Sequence, residues 1–183
     1  VGDPMKARSL SCACLFTVST LLLAAPAMAI KPAGPNAQPA ITAAVQAAVD
    51  GKGRTPENVK RDAYRHPAQT LSFFGVEPGK TVVEITPGGG WYAEILAPLL
   101  RDKGTYVAAV VDPKAVAEGR GRDYQQRSRD GLEKKFAANP ALYDKAKVVG
   151  YDPKAPVFGP AGSADVVLTF RNVHNWRSAN QAE

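Results

Sequence analysis

The chain has 183 residues, of which 45% are hydrophobic and 22% are charged, and its formal net charge is +6. This length and composition suffice for one domain with a buried core and exclude an intrinsically disordered protein. The small positive balance gives no strong nucleic-acid signal, because acidic residues interleave with the basic ones. The two cysteines, Cys12 and Cys14, lie near the start, and His66 and His174 are the two histidines, so we predict no metal site.

The first 29 residues have the organisation of a signal peptide. Lys6 and Arg8 precede an apolar run that extends to Ala25, and residues 27–29 have the small-x-small pattern that signal peptidase accepts. We predict cleavage after Ala29, export to the bacterial periplasm and no stable membrane association afterwards. An uncleaved membrane anchor is the alternative, because about 20 apolar residues can span a bilayer.

Three segments follow the predicted signal peptide. Residues 30–54 indicate a flexible leader with a short helix over 41–50, and we place the main domain at 55–183. A Thr-Pro pair predicts a helix from Thr55 to Arg65, followed by another one or two turns up to Gly75. We expect Tyr64 in the core and His66 at a helix end.

Strands alternate with helices in the rest of the sequence. Continuous apolar, β-branched runs predict four buried strands, at 81–85, 105–111, 147–151 and 164–170. Helical spacing covers 91–100, where Pro98 should kink or shorten the last turn, and a charged helix covers 114–138 with a break near Gly119. This alternation predicts a Rossmann-like, doubly wound parallel sheet of the α/β class.

The loop after the first strand, residues 86–90, is the candidate ligand site. Ligands of doubly wound sheets lie beyond the carboxyl ends of the strands, and Gly88, Gly89 and Gly90 allow a bound group to approach the backbone. The spacing differs from the Gly-x-Gly-x-x-Gly pattern of dinucleotide-binding proteins, which disfavours NAD, and it lacks the Lys-Ser/Thr of a P-loop.

An acidic residue at the end of the first strand followed by glycines, as at 84–90, resembles the first motif of class I S-adenosylmethionine-dependent methyltransferases. Residues 64–67, 87–92 and 170–176 further resemble a family of predicted exported bacterial methyltransferases, over roughly residues 61–176. The resemblance implies that this chain binds S-adenosylmethionine and transfers its methyl group to an acceptor that the sequence does not identify.

The resemblance also implies roles for individual residues. It assigns the methyl donor to Glu84, Pro87, Gly88, Gly89, Gly90, Asp112 and Asp152, with Asp112 on the ribose hydroxyls and Asp152 near the adenine amine. It places the substrate near Asn172 and Trp176 and makes His174 the candidate proton acceptor. The alternatives are structural: both aspartates precede a proline and suit a turn, and His174 and Trp176 suit packing against the sheet.

The resembled fold continues with further strands after the fourth, so we expect a domain that is truncated at its C-terminus and that has lost part of its acceptor pocket. Export would also separate the chain from the cytoplasmic supply of S-adenosylmethionine. The alternative function is therefore a non-catalytic, exported module that binds a small ligand in a Rossmann-like pocket.

Overall fold

A parallel sheet of four strands runs through residues 42–178, the part of the chain that the computed structural model describes. The strands lie in the order β3-β2-β1-β4, with bounds β1 Thr81–Ile85, β2 Thr105–Val111, β3 Lys147–Tyr151 and β4 Val166–Leu168. The sheet confirms the α/β class and the bounds of the first three strands, whereas β4 is shorter than predicted. The predicted signal peptide and its cleavage site lie outside the described residues.

Eight α-helices accompany the sheet in the described residues. They are α1 Ala43–Val49, α2 Pro56–Val59, α3 Asp62–Arg65, α4 Pro67–Phe73, α5 Ala93–Leu100, α6 Arg120–Ala138, α7 Pro140–Tyr143 and α8 Val173–Ser178. Between residues 42 and 178, no helix is long and apolar enough to cross a membrane.

The two faces of the sheet bury different amounts of apolar surface, because side chains alternate between faces along each strand. Val82, Tyr106 and Leu168 point to a large core that α1, α4, α5, α6 and α7 cover. Val83 and Val107 point to a smaller cluster on the opposite face. Phe158 and Ala164, from the connection between β3 and β4, pack against that cluster.

Helix α1 is part of the core, although the sequence analysis placed it before the main domain. Its residues Val45 and Val49 are buried in the same cluster as the side chains of α4 and α5. The buried Arg54 guanidinium, which forms an ion pair with Asp62 of α3, also donates a hydrogen bond of 2.9 Å to the carbonyl oxygen of Val49. This arginine therefore links the end of α1 to α3.

The helical segments before β1 differ in detail from the prediction. The single helix expected from Thr55 to Arg65 is divided into α2 and α3, and His66 ends α3 in the left-handed conformation, with a φ of 44°. Tyr64 is 86% exposed, so its predicted place in the core is wrong. Pro98 does not shorten α5, which continues to Leu100.

The strand order reverses direction at β1. The chain proceeds from β1 to β2 and β3 on one side and then returns to place β4 on the other side of β1. In open α/β sheets, the carboxyl ends of the strands on either side of such a reversal diverge and leave a crevice for ligands. The candidate site is therefore expected between the ends of β1 and β4.

Candidate functional site

A cavity of about 470 Å³ lies at this reversal point, which is within the usual size range of small-molecule sites. Four parts of the fold contribute to its wall. The end of β1 and the segment between β1 and α5 supply Glu84, Thr86, Pro87, Gly88, Gly89, Trp91 and Tyr92. The segment after β4 supplies Phe170, Arg171, Asn172, His174 and Asn175. The remaining lining residues are Asn58, Arg61 and Arg65, from α2, α3 and the turn between them, and Tyr124 of α6.

The three glycines of the loop differ in their backbone conformation and in the space around them. Gly88 has a positive φ of 58°, and a Cβ added to Gly88 or Gly89 would meet no atom within 4 Å. Their amides donate no hydrogen bond within the described residues, so both remain available to a ligand. At Gly90, with a φ of 74°, a Cβ would lie 2.9 Å from Cδ1 of Leu132, so this residue allows close packing of the loop on α6.

Unfavourable backbone conformations are concentrated around the cavity. Positive φ angles occur in the described residues at three non-glycine positions, which are His66, Thr86 and Arg171. Thr86 and Arg171 line the cavity, and His66 follows Arg65, which lines it as well. Such conformations cost on the order of 1–3 kcal/mol each and occur preferentially at functional sites. The φ of 54° at Thr86 is especially unfavourable because threonine is β-branched.

Hydrogen bonds hold the ends of β1 and β4 together beneath the cavity. The side-chain amide of Asn172 donates to the carbonyl oxygens of Ile85 and Thr86, both at 3.3 Å, and to Oγ1 of Thr169 at 2.9 Å. The Thr86 hydroxyl is 2.9 Å from the hydroxyl of Tyr151 at the end of β3. Asn172 therefore positions the strained Thr86 backbone, besides lining the cavity.

Glu84 brings a buried carboxyl group to the base of the cavity. It is 3% exposed, and the hydroxyl of Tyr106 on β2 donates to its Oε2 at 2.7 Å. Burial raises the pKa of Glu84 to about 7, although the Tyr106 hydrogen bond and the positive charge of Arg65 oppose the increase. Glu84 is therefore divided between its neutral and ionised forms near pH 7.

Aromatic side chains form the wall between the β1 loop and the segment after β4. The rings of Tyr92 and Phe170 are stacked with centroids 3.8 Å apart, and the Trp91 ring packs edge-on against Tyr92. The Trp91 indole donates a hydrogen bond of 3.0 Å to the carbonyl oxygen of Asn58, and the Arg65 guanidinium lies 4.5 Å from the Trp91 ring centroid. These contacts fix α2 and α3 beside the glycine loop.

A partly buried ionic contact supports the loop from the side of α6. Lys135 donates to the carbonyl oxygen of Gly89 at 3.2 Å and forms an ion pair with the carboxylate of Glu94 on α5. Glu94 also accepts hydrogen bonds from the backbone amide and the hydroxyl of Thr55. Burial alone would raise the pKa of Glu94, but the bonds from Lys135 and Thr55 lower it below its ordinary value.

Several residues that the sequence analysis assigned to ligands lie elsewhere. Asp112 and Asp152 are absent from the cavity wall, and each accepts a hydrogen bond from the backbone amide two residues later, of Lys114 at 2.9 Å and of Lys154 at 2.8 Å. Trp176 lines a separate cavity of about 210 Å³ with apolar side chains such as Phe158. Gly90, also assigned to the methyl donor, packs against α6 and is not among the lining residues, whereas Glu84, Pro87, Gly88, Gly89, Asn172 and His174 do line the main cavity.

The sequence analysis missed the basic residues of the cavity. Arg61, Arg65 and Arg171 all line it, and Tyr124, which belongs to the helix interpreted as solvated, does so too. Arg65 and Arg171 lie within the sequence strings that carry the resemblance, but nothing in their local pattern indicates that they meet. The fold brings them to the wall of one cavity.

The chain matches no protein-family model, and no curated protein matches it significantly. The residues of the cavity themselves must therefore indicate what it binds.

Proposed function

We propose that the cavity between the ends of β1 and β4 binds S-adenosylmethionine and that the chain transfers its methyl group to an acceptor bound in the same cavity. The proposed fold is the Rossmann-like class I methyltransferase fold. The observation that carries this proposal is the glycine loop, which follows β1, lines the cavity at the strand-order reversal and resembles the first motif of that class.

The residues present fit such a donor in three respects. The volume of about 470 Å³ suits a small cofactor, the free amides of Gly88 and Gly89 can donate to it, and neither glycine carries a side chain that would occupy the space. S-adenosylmethionine supplies a methyl group on a positively charged sulfur. An ionised Glu84 or the face of an aromatic ring can stabilise a nearby positive charge.

The chain's own contribution to the reaction is to align two ligands and to accept a proton. The rigid base formed by Asn172 and Thr86, with the wall of Tyr92 and Phe170, restricts the orientation of whatever enters the cavity. His174 lies on the cavity wall after β4, where an imidazole nitrogen can accept the proton of an attacking hydroxyl or amine.

The proposal also gives a role to Asp112, which lies outside the cavity wall. Its Oδ1 accepts the hydrogen bond from Lys114, whereas its Oδ2 accepts none within the described residues. Asp112 follows β2, the neighbour of β1, so a ligand that extends from the glycine loop over the sheet edge reaches it. A carboxylate oxygen there can accept a hydrogen bond from a ribose hydroxyl.

Calorimetric titration of the full chain with S-adenosylmethionine, S-adenosylhomocysteine and NAD tests the proposal. Both sulfur compounds should bind and NAD should not. Gly89→Val adds a side chain to the cavity wall at a position where a Cβ meets no atom within 4 Å, and we expect at least about tenfold weaker binding of S-adenosylhomocysteine.

The matched control is Gly79→Val, because Gly79 lies in the turn before β1, outside the cavity, and a Cβ there also meets no atom. It should leave the affinity unchanged. Absence of binding heat with either sulfur compound would overturn the proposal, and so would equal affinities in the two glycine variants.

A non-catalytic module that binds a small anionic ligand is the second candidate function. The placement of Asp112 and Asp152 in local turns favours it, because the cavity wall then lacks both carboxylates assigned to the nucleoside. The three arginines on the wall also favour an anion. Binding of anions without binding of either sulfur compound would support this candidate instead.

A further inference from the structure

Three guanidinium groups meet in the cavity without a carboxylate partner. Arg61 and Arg65 come from the α3 region and Arg171 follows β4, and none of the three forms an ion pair within residues 42–178. Other arginines of the chain do have acidic partners, including Arg54 with Asp62, Arg101 with Asp144, Arg122 with Glu118 and Arg129 with Glu133. The cavity therefore has a concentration of uncompensated positive charge.

The groups around these arginines compensate only part of this charge. Burial, together with repulsion by Arg61 and Arg171, lowers the pKa of Arg65, so the charges of the other two arginines act on this guanidinium. Glu84 is the one carboxyl group among the described cavity residues, and with a pKa of about 7 it offsets only part of this charge at neutral pH. A bound anion would relieve the repulsion.

The chemistry of the wall indicates the class of anion. Guanidinium groups donate paired hydrogen bonds that match the oxygens of carboxylate and phosphate groups. The amide side chains of Asn58 and Asn175 and the free amide of Gly88 add uncharged donors to the same cavity. A site with these donors and a single acid that is only partly ionised at neutral pH suits a small molecule with a negatively charged group.

We propose that Arg61, Arg65 and Arg171 form a subsite for a carboxylate or phosphate group of the methyl acceptor. The assignment of this subsite to the methyl acceptor rests on the function proposed above, whereas the existence of an anion subsite does not. The source of the anion could instead be the carboxylate of the methyl donor, which has the same chemistry, so the experiment must separate the two.

Calorimetric titration of the full chain with inorganic phosphate at constant ionic strength, with and without saturating S-adenosylhomocysteine, makes that separation. Phosphate should bind in both conditions if the arginines hold an acceptor. Arg171→Gln removes an exposed guanidinium and should weaken phosphate binding about tenfold, as a lost charge-assisted hydrogen bond does. Arg65→Gln should act in the same direction.

The matched control is Arg127→Gln, at an exposed position of α6 outside the cavity, which should leave phosphate binding unchanged. Equal phosphate affinities in the Arg171, Arg65 and Arg127 variants would overturn the subsite. Mutually exclusive binding of phosphate and S-adenosylhomocysteine would assign the arginines to the donor and overturn the acceptor assignment. Arginine-dependent phosphate binding without any binding of S-adenosylhomocysteine would keep the subsite and reject the methyltransferase function.

Discussion

The carboxyl ends of β1 and β4 and those of β2 and β3 lie on the same edge of one sheet, and they use their polar residues differently. The residues after β1 and β4, such as Thr86 and Arg171, line the main cavity and include strained backbone. The residues after β2 and β3, Asp112 and Asp152, complete local turns. Position at the ligand-binding edge of a parallel sheet is therefore not enough to make a residue part of the site.

The two pairs of strand ends differ because different backbone conformations follow them. Asp112 and Asp152 both precede a proline, and the carboxylate of each accepts the amide hydrogen bond that closes the turn. After β1 and β4 the chain has left-handed residues instead, and these turn the backbone over the crevice. Three predictions test the two sides of the sheet edge, two through the stability of the β1 side and one through ligand binding on the β2 side.

The largest expected effect concerns Glu84, the buried carboxyl on the β1 side. Its pKa of about 7 lies above the ordinary value of 4.5, so folding favours the protonated form and the stability from this group is lost as the pH rises through that interval. This corresponds to about 3 kcal/mol between pH 4 and pH 8. Glu84→Gln should become more stable relative to the unsubstituted chain by that amount over this interval.

Urea denaturation of both chains at pH 4, 6 and 8 measures this difference, and the pH dependence of all other groups cancels in it. Glu133→Gln, at an exposed position on α6, is the control. Its stability relative to the unsubstituted chain should vary by only a few tenths of a kcal/mol between pH 4 and pH 8. If the stability difference between Glu84→Gln and the unsubstituted chain stays constant from pH 4 to pH 8, Glu84 is not a buried carboxyl without an ion pair.

The next largest effect is a difference in stability between substitutions of two glycines in the same loop. Gly90→Ala introduces a side chain at a φ of 74° and 2.9 Å from the buried Leu132, and we expect it to lower the free energy of unfolding by about 2 kcal/mol. Gly89→Ala meets no protein atom, so it should change stability by less than about 0.5 kcal/mol. Denaturation midpoints check both variants, and equal losses would contradict the described loop.

The sequence predicted the sheet well because buried parallel strands have a continuous apolar pattern. The bounds of β1, β2 and β3 match, whereas β4 is three residues long because pairing with β1 is limited to residues 166–168. The short helices α7 and α8 have too few residues for a periodic pattern, and neither was predicted. No local signal indicated the division between α2 and α3 or the exposure of Tyr64 on α3.

The candidate site was predicted in part. The glycine loop could be found because a strand followed by glycines is a local pattern, and its place on the cavity follows from the parallel sheet. The arginine cluster could not be found, because Arg65 and Arg171 are more than a hundred positions apart in the sequence and share no motif. Asp112 and Asp152 were chosen for their position after a strand, and that criterion cannot distinguish a ligand from a turn residue.

The smallest expected effect tests the β2 side through Asp112. Asp112→Asn keeps an oxygen for the hydrogen bond from the Lys114 amide, so stability should change little, but it removes the negative charge and the second carboxylate oxygen. If the donor extends over the sheet edge to this residue, calorimetry should show about tenfold weaker binding of S-adenosylhomocysteine, or about 1.4 kcal/mol. Asp152→Asn, in an equivalent turn after the edge strand β3, is the matched comparison and should have a weaker effect. Unchanged affinity in Asp112→Asn would show that the donor does not reach Asp112 and that its binding is confined to the ends of β1 and β4.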